Sequence, residues 1–219
     1  MKKIFLFAAA IVAAMTVNAQ MIAFSAEDEI AQSDFPEEKV YANGNFKITI
    51  TNVADGGKFL VDANKTKFGT SLDDMWESTD RLNIKGKSDS KTAITITAPA
   101  AGKIKLYART SGKTTGVDVA FSQFSETVAS YTLVDTDAIV VKDGDKDVNI
   151  FPIKEFSVQA GDISMSFTRA MYLYAVEFVS GAQGVENVDA AAKAIKSFEN
   201  GQLVIIKNGV KYNAIGAKF

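Results

Sequence analysis

The sequence contains neither cysteine nor histidine among its 219 residues. Without cysteine there is no disulfide framework, thiolate nucleophile or thiolate metal site, and no cysteine to carry a lipid. Without histidine the chain lacks the usual general base near neutral pH and the commonest zinc ligand. A conventional nucleophile–histidine triad is therefore excluded. No other catalytic motif is recognisable, and we expect the protein not to be an enzyme.

The chain also lacks a strong charge of either sign and a long apolar run. Its net charge is −2, which gives no basic footprint for nucleic acid. No apolar run reaches the roughly 20 residues that a membrane-spanning helix needs. We therefore expect no nucleic-acid partner and no transmembrane segment in the mature chain. An apolar fraction of 47% with 23% charged residues is typical of a globular domain.

The first 19 residues predict a secretory signal peptide. Lys2 and Lys3 form a basic start, an apolar run of 12 residues follows, and Val17-Asn18-Ala19 supplies small residues before a cleavage point. An uncleaved membrane anchor is the alternative, for which the apolar run is short. Residues 20–43 form a polar, acidic segment, which is typical of a solvated face or loop. A calcium role for this segment is a weaker alternative.

The body, residues 44–180, alternates apolar and polar residues over many short segments. Phe46–Thr51 and Thr92–Ala98 are clear examples, and Lys154–Val179 contains three successive strands, of which Tyr172–Val179 is apolar in both phases and therefore central. Ser71–Thr79, which holds the only tryptophan, reads as a loop or one helical turn. About ten short strands predict an all-β, two-sheet antiparallel β-sandwich. A jelly roll is favoured, and an immunoglobulin-like sandwich, whose Cys…Trp…Cys pattern is absent, is the alternative.

The last part, residues 181–219, predicts a linker and a C-terminal β-hairpin tail. Val188–Phe198 is compatible with two helical turns, and Leu203–Lys207 and Val210–Asn213 are strands around the turn signal Asn208-Gly209. The stretch NGQLVIIKNGVKYNAIG, residues 200–216, resembles the sorting signals of proteins exported by the type IX secretion system. That resemblance implies contact with the secretion machinery and delivery through the periplasm to the cell surface or the medium. A plain C-terminal hairpin is the alternative.

The body is similar in rhythm to jelly-roll carbohydrate-binding modules that accompany polysaccharide-degrading enzymes. The segments Ile94–Arg109 and Phe156–Phe167 carry this similarity, each as a strand, a small-residue turn with glycine, and a second strand. The resemblance implies a glycan ligand and assigns no contact residue. Our hypothesis is a secreted, non-catalytic, carbohydrate-binding sandwich. A structural or adhesive surface protein is the alternative, and a glycan-cleaving enzyme would require two carboxylates facing each other across a cleft.

Two sets of residues combine aromatic rings with cations and are the candidate ligand-binding residues. Lys105, Tyr107 and Arg109 share the outward phase of one strand with Lys103, and Trp76 precedes Arg81. Rings of this kind stack on sugars, and cations contact acidic groups. A solvated sheet face and a buried tryptophan are the respective structural alternatives. Tyr172 and Tyr174 share one face, and for them we favour a core position with hydroxyls that reach a partner.

The stretch Asp143–Asp147 imitates the start of a calcium loop, since alternate aspartates can converge on one ion. The EF-hand form fails, because Val148 stands where glycine is needed and Lys154 where the last carboxylate is needed. Hairpin-turn chemistry explains these aspartates more simply. We therefore predict no cofactor, and calcium remains the alternative.

Overall fold

The computed structural model describes residues 19–53, 57–112, 115–181, 195–199, 202–207 and 210–212. The chain divides into two compact units, Met1–Ala182 and Gln183–Phe219. Residues 1–18 of the predicted signal peptide lie outside the described residues. In the described part of the chain, no helix is long and apolar enough to cross a membrane.

The first unit is built from β-strands joined by turns, as the alternating sequence predicts. Its strands are β1 (Ala19–Ala23), β2 (Glu38–Asn43), β3 (Phe46–Asn52), β4 (Phe59–Phe68), β5 (Trp76–Ile84), β6 (Thr92–Ala98), β7 (Gly102–Thr110), β8 (Val117–Gln123), β9 (Glu126–Leu133), β10 (Ile139–Asp143), β11 (Lys146–Phe151), β12 (Lys154–Val158), β13 (Gly161–Phe167) and β14 (Met171–Ser180).

These strands form two sheets. Sheet A has eight strands in the order β10-β11-β4-β5-β14-β7-β12, with β1 also paired to β14. Sheet B has six strands in the order β2-β3-β6-β13-β8-β9. The described pairings are antiparallel apart from β11 with β4, which pair in parallel at Ile150 and Phe151. The predicted two-sheet antiparallel β-sandwich is therefore confirmed.

The chain changes sheet repeatedly. It moves from β3 in sheet B to β4 and β5 in sheet A, then to β6, back to β7, and again to β8. Greek-key and jelly-roll sandwiches share such crossings between sheets. The crossings bring three connections, β5–β6, β7–β8 and β13–β14, to one end of the sandwich, where they surround a shared concavity.

The main core lies between the two sheets and contains the residues that alternation points inward. Ile48 and Ile50 of β3, Ile96 of β6, and Leu106 of β7 are fully buried in it. Removing such side chains from water is the chief stabilising contribution in a domain of this size. The predicted inward phases are therefore confirmed.

Strand β14 occupies the middle of sheet A. It pairs with β7 along one edge, while its other edge pairs first with β5 at Met171–Leu173 and then with β1 at Ala175–Val179. A bulge between Leu173 and Ala175 separates these two parts. Because both edges are paired and both faces are covered, β14 can be apolar in both phases, as its sequence indicated.

The acidic stretch at residues 20–43 contributes β1 to sheet A and β2 to sheet B. The prediction of a loop or helical turn over Ser71–Thr79 is wrong in its second half, because Trp76 opens β5. Strand β5 was missed at this end because Trp76-Glu-Ser-Thr-Asp80 carries one large apolar residue. In this part of β5 the polar residues Ser78 and Asp80 are buried, while the polar residues between and before them, Thr79 and Glu77, are exposed. Hydrophobic alternation therefore does not mark the strand.

A second, aromatic cluster lies outside the main core, on the other side of sheet A. Its buried members are Phe68, Tyr107, Phe151, Tyr174 and Ala175, with Trp76 and Tyr172 packed against them. Tyr107 points away from the core that holds its neighbours Leu106 and Ala108. Sheet A curls after β5 leaves β14, so that Phe68 and Trp76 return over this outer face. Their rings contact Tyr107 with centroids 5.7 and 5.0 Å apart.

The second unit contains β15 (Ile195–Glu199), β16 (Gln202–Lys207) and β17 (Val210–Tyr212), which form one antiparallel sheet. The predicted pair of strands around residues 208–209 is confirmed. The helical interpretation of Val188–Phe198 is wrong for Ile195–Phe198, which is a strand, while residues 188–194 lie outside the described residues. The third strand, β15, adds a second pairing to β16, which stabilises a sheet that would be only marginally stable with two strands.

The tight turn between β8 and β9 supplies a first test of the fold. Phe124 and Ser125 adopt φ values of 52° and 66°, in a two-residue turn where both central positions need positive φ. Since a side chain is strained there and glycine is not, Ser125→Gly should raise the free energy of unfolding by about 0.5–1 kcal/mol. Denaturant melts would measure this change. Ser130→Gly, in the extended strand β9, is the matched control and should destabilise; equal effects of the two would contradict the turn geometry.

Candidate ligand-binding cleft

A cleft of about 720 Å³ opens beside the aromatic cluster. Its walls come from β4, β5, the end of β7, the β10–β11 hairpin and the 3₁₀ turn Asp135–Asp137. This volume falls in the range of small-molecule sites, about 300–1,000 Å³. Its lining includes the apolar residues Phe151, Ala138, Val140 and Val148 as well as polar and charged residues. The cleft is therefore large enough for a ligand with both apolar and hydrogen-bonding faces.

Arg109 and Asp135 form an ion pair in this cleft. Arg109 Nη2 lies 3.1 Å from Asp135 Oδ2, and the guanidinium lies over the ring of Phe151, 4.5 Å from its centroid. Arg109 Nε and Asp135 Oδ1 are buried and have no hydrogen-bond partner among the described residues. Buried polar atoms without a partner are rare because each costs free energy. One donor and one acceptor thus remain unused within the same ion pair.

The charges that line the cleft are balanced. Three cations line it, and so do three carboxylates: Lys65, Lys67 and Arg109, with Glu77, Asp135 and Asp147. Asp147 pairs with Lys142 at 2.6 Å. Such a lining does not favour a strongly charged ligand of either sign. A lining with balanced charge favours a neutral ligand that both donates and accepts hydrogen bonds.

One wall of the cleft is held by few contacts. The β10–β11 hairpin joins sheet A through the two-residue parallel pairing of Ile150 and Phe151 with β4. Val140, on β10, is 62% exposed although it borders the cleft. The hairpin turn predicted within Asp143–Asp147 closes this hairpin, with Gly144 and Asp145 between the paired residues Asp143 and Lys146 and Gly144 at φ 59°. The hairpin is therefore joined to the rest of sheet A through β11 alone, at its Ile150–Phe151 end.

Of the five residues predicted as ligand contacts, Arg109 lines the cleft and the other four do not. Trp76 is half-buried between Phe68 and Tyr107. Tyr107 is only 5% exposed, and its hydroxyl donates to Glu177 Oε2 at 2.7 Å. Lys105 also pairs with Glu177, at 3.3 Å. Trp76 and Tyr107 thus belong to the aromatic cluster, of which Phe151 lines the cleft.

Arg81 is held by a second network. Its Nε and Nη2 donate to the two carboxylate oxygens of Asp62 at 2.7 and 3.2 Å, and its guanidinium stacks on Tyr172, 3.7 Å from the ring centroid. Burial alone would raise the pKa of Asp62, but the hydrogen bonds from Arg81 and Asn83 outweigh it and lower that pKa below its usual value. Asp62 is therefore the charged partner that fixes Arg81.

Tyr174, expected in a core with its hydroxyl bonded, is fully buried in the aromatic cluster. Its hydroxyl accepts from Thr66 Oγ1 at 2.9 Å and donates to Asn64 Oδ1 at 2.8 Å. Burial raises the pKa of Tyr174, and burial followed by the hydrogen bond to Glu177 raises that of Tyr107. Both hydroxyls therefore stay protonated at neutral pH and serve as donors.

Sequence reasoning missed Asp135, Thr136 and Phe151 as lining residues. Asp135 and Thr136 belong to a short polar turn without a motif, and Phe151 ends a strand whose neighbours are unknown until the sheet is assembled. Among the described residues, no group of three or more carboxylates is placed to hold a metal ion. The aspartates of the calcium-like stretch 143–147 instead belong to the β10–β11 hairpin.

No family model matches the chain, and no curated protein matches it. Its fold is distantly similar to a solved chain from a study of glycan recognition in the Ruminococcus flavefaciens cellulosome, at 14% identity and a TM-score of 0.34, over 74% of this chain and 93% of that one. It is also distantly similar to the catalytic domain of a GH87 α-1,3-glucanase in complex with nigerose, at 10% identity and a TM-score of 0.31. There it covers 68% of this chain and 30% of the other.

Proposed function

We propose that the protein is a non-catalytic carbohydrate-binding module whose ligand, a neutral glycan, lies in the cleft at Arg109 and Asp135. The observation that carries this proposal is the unused donor and acceptor, Arg109 Nε and Asp135 Oδ1, in a cleft of sugar-binding size. A sugar hydroxyl donates one hydrogen bond and accepts others, so neighbouring hydroxyls can satisfy both atoms. Both atoms are buried, so the proposal requires Arg109 and Asp135 to adjust locally before sugar hydroxyls reach them.

The remaining walls fit the same ligand. Ala138, Val140 and Val148 give the lining apolar side chains, and Thr136 and Asn149 add polar ones. Sugars combine apolar ring faces with hydroxyl edges, and apolar surfaces beside polar groups suit both parts. The balanced charge of the lining supports a neutral glycan over an acidic one.

We further propose that the protein is exported to the cell surface or the medium. The signal-peptide pattern before Gln20 supports entry into the periplasm. The resemblance of residues 200–216 to type IX sorting signals supports passage from there to the outside. A glycan-binding module at that location would meet polysaccharides directly.

The cleft proposal predicts that Asp135→Asn weakens glycan binding. Wild-type protein would be screened on an array of neutral oligosaccharides from glucans, xylans and mannans, and the best ligand measured by calorimetry. Hydrogen bonds to charged groups contribute about 1.5–3 kcal/mol, so losing the carboxylate should weaken binding at least about tenfold. Asp137→Asn is the matched control, because Asp137 lies in the same turn but pairs with Lys154 outside the cleft.

Three outcomes would contradict the proposal. Equal affinities of the Asp135 and Asp137 variants would remove the site from the cleft. Failure to bind any glycan on the array would favour the structural or adhesive alternative. Release of reducing ends from a bound glycan would favour cleavage, for which the carboxylates Glu77, Asp135 and Asp147 along the cleft are the candidates.

A further inference from the structure

A second concavity, of about 420 Å³, lies at the end of the sandwich where the β5–β6, β7–β8 and β13–β14 connections meet. Its lining includes Lys87, Thr110, Ser111, Gly112, Arg169 and Ala170. None of these residues lines the cleft at Arg109 and Asp135. The concavity is therefore a separate feature with its own chemistry.

The charge of this concavity is of one sign. Lys87 and Arg169 line it, and among the described residues no carboxylate does. Neither cation forms an ion pair with any described residue, whereas the cations Arg81, Lys105 and Arg109 on sheet A all do. Two unpaired cations at one concavity create a local positive potential that favours an anionic group.

The rest of the concavity is already held in place by hydrogen bonds. Ser111 Oγ donates to the carbonyl of Ala170 at 2.9 Å, and Thr110 Oγ1 donates to the carbonyl of Thr115 at the same distance. Thr110 Oγ1 in turn accepts from the Gly112 amide at 3.1 Å. These bonds tie the β7–β8 connection to itself and to the β13–β14 connection. These described parts of the concavity are therefore ordered before a ligand binds, which lowers the cost of ordering on binding.

We propose that this concavity binds the carboxylate of a uronic-acid residue in an acidic glycan. Arginine presents a planar fork of donors that matches a carboxylate, and lysine adds a mobile point charge. A volume of about 420 Å³ accommodates a sugar ring as well as its acidic group. This site is independent of the neutral-glycan cleft, so the protein would carry one site for a neutral glycan and one for an acidic glycan.

The test uses tetragalacturonate and its fully methyl-esterified form, titrated by calorimetry into the full mature chain. The two ligands share the same sugars and differ in charge, and ion pairs made by exposed cations are weak, so we expect the ester to bind several-fold more weakly. Arg169→Gln should reduce the affinity for tetragalacturonate by about the same factor, and Lys87→Gln by less. Lys47→Gln is the matched control, since Lys47 is an exposed cation on β3 in sheet B, and it should bind like the wild type.

Each alternative result overturns the proposal. Equal binding of the ester, equal affinities of the Arg169 and Lys47 variants, or no binding of tetragalacturonate at millimolar concentration would each do so. Acetate that competes as well as tetragalacturonate would indicate a bare anion site instead of a glycan site. Binding of tetragalacturonate and binding of the neutral glycan are separate measurements, so failure of the cleft proposal and failure of this one are distinguishable. Both cations are exposed, and melting temperatures of the variants should match the wild type.

Discussion

Replacing Phe68 with alanine should lower the free energy of unfolding by about 3–5 kcal/mol. Phe68 is fully buried although it lies outside the main core. Its ring centroid lies 5.1 Å from that of Tyr174, 5.7 Å from Tyr107, 6.1 Å from Phe151 and 6.2 Å from Trp76. Removing the ring therefore leaves a cavity at the centre of the aromatic cluster. Urea melts followed by Trp76 fluorescence would measure the loss.

Phe124→Ala is the matched control for this prediction. Phe124 is 73% exposed at the tip of the β8–β9 turn, so the same substitution removes almost no buried surface there. We expect its effect on stability to lie within about 0.5 kcal/mol. If Phe68→Ala also cost less than about 1 kcal/mol, the aromatic cluster would not be a packed second core.

The cluster also connects stability to the proposed cleft. Phe68 contacts Phe151, and Phe151 supports the guanidinium of Arg109. A cavity under Phe151 would let Arg109 shift away from Asp135. We therefore expect the Phe68 variant to lose glycan affinity under conditions where it is still folded.

Sequence alternation predicted the sandwich because each sheet of the main core buries one face. Ile94 and Ile96 of β6, or Ile104 and Leu106 of β7, are placed inward by period alone, whatever strands pair with them. The same period also placed Tyr107 and Arg109 on the opposite face. Alternation alone was thus enough to predict where most strands lie and which face of the sheet most of their side chains occupy.

Alternation could not predict what covers the outward face of sheet A. Tyr107 was expected to be an accessible ring, but the curl of β4 and β5 covers it with Phe68 and Trp76. That curl depends on where β5 leaves β14, which is a property of strand pairing between residues 82–84 and 171–173. Asp135 was missed for a related reason: its partner Arg109 is 26 residues away in sequence.

Deleting residues 183–219 should abolish delivery to the cell surface while leaving the sandwich folded. All residues of both described hydrophobic clusters come from Met1–Ala182, the unit that the deletion retains. The melting temperature of the purified, truncated body should therefore remain within a few degrees of the full chain. If the C-terminal sheet of β15–β17 is the sorting signal that we propose, the truncated protein should accumulate in the periplasm. Fractionation and surface labelling of the producing cells would locate it.

The matched control is a chain in which residues 200–219 are scrambled, because it keeps the length and composition of the tail while destroying its pattern. It should be retained like the deletion, and fusing residues 183–219 to a periplasmic reporter should restore export of that reporter. Surface delivery of the scrambled chain at wild-type levels would contradict recognition of the tail by the secretion machinery. Unfolding of the truncated body would show instead that the β15–β17 unit contributes to the stability of the sandwich, and a plain structural role for the tail would then replace the sorting proposal.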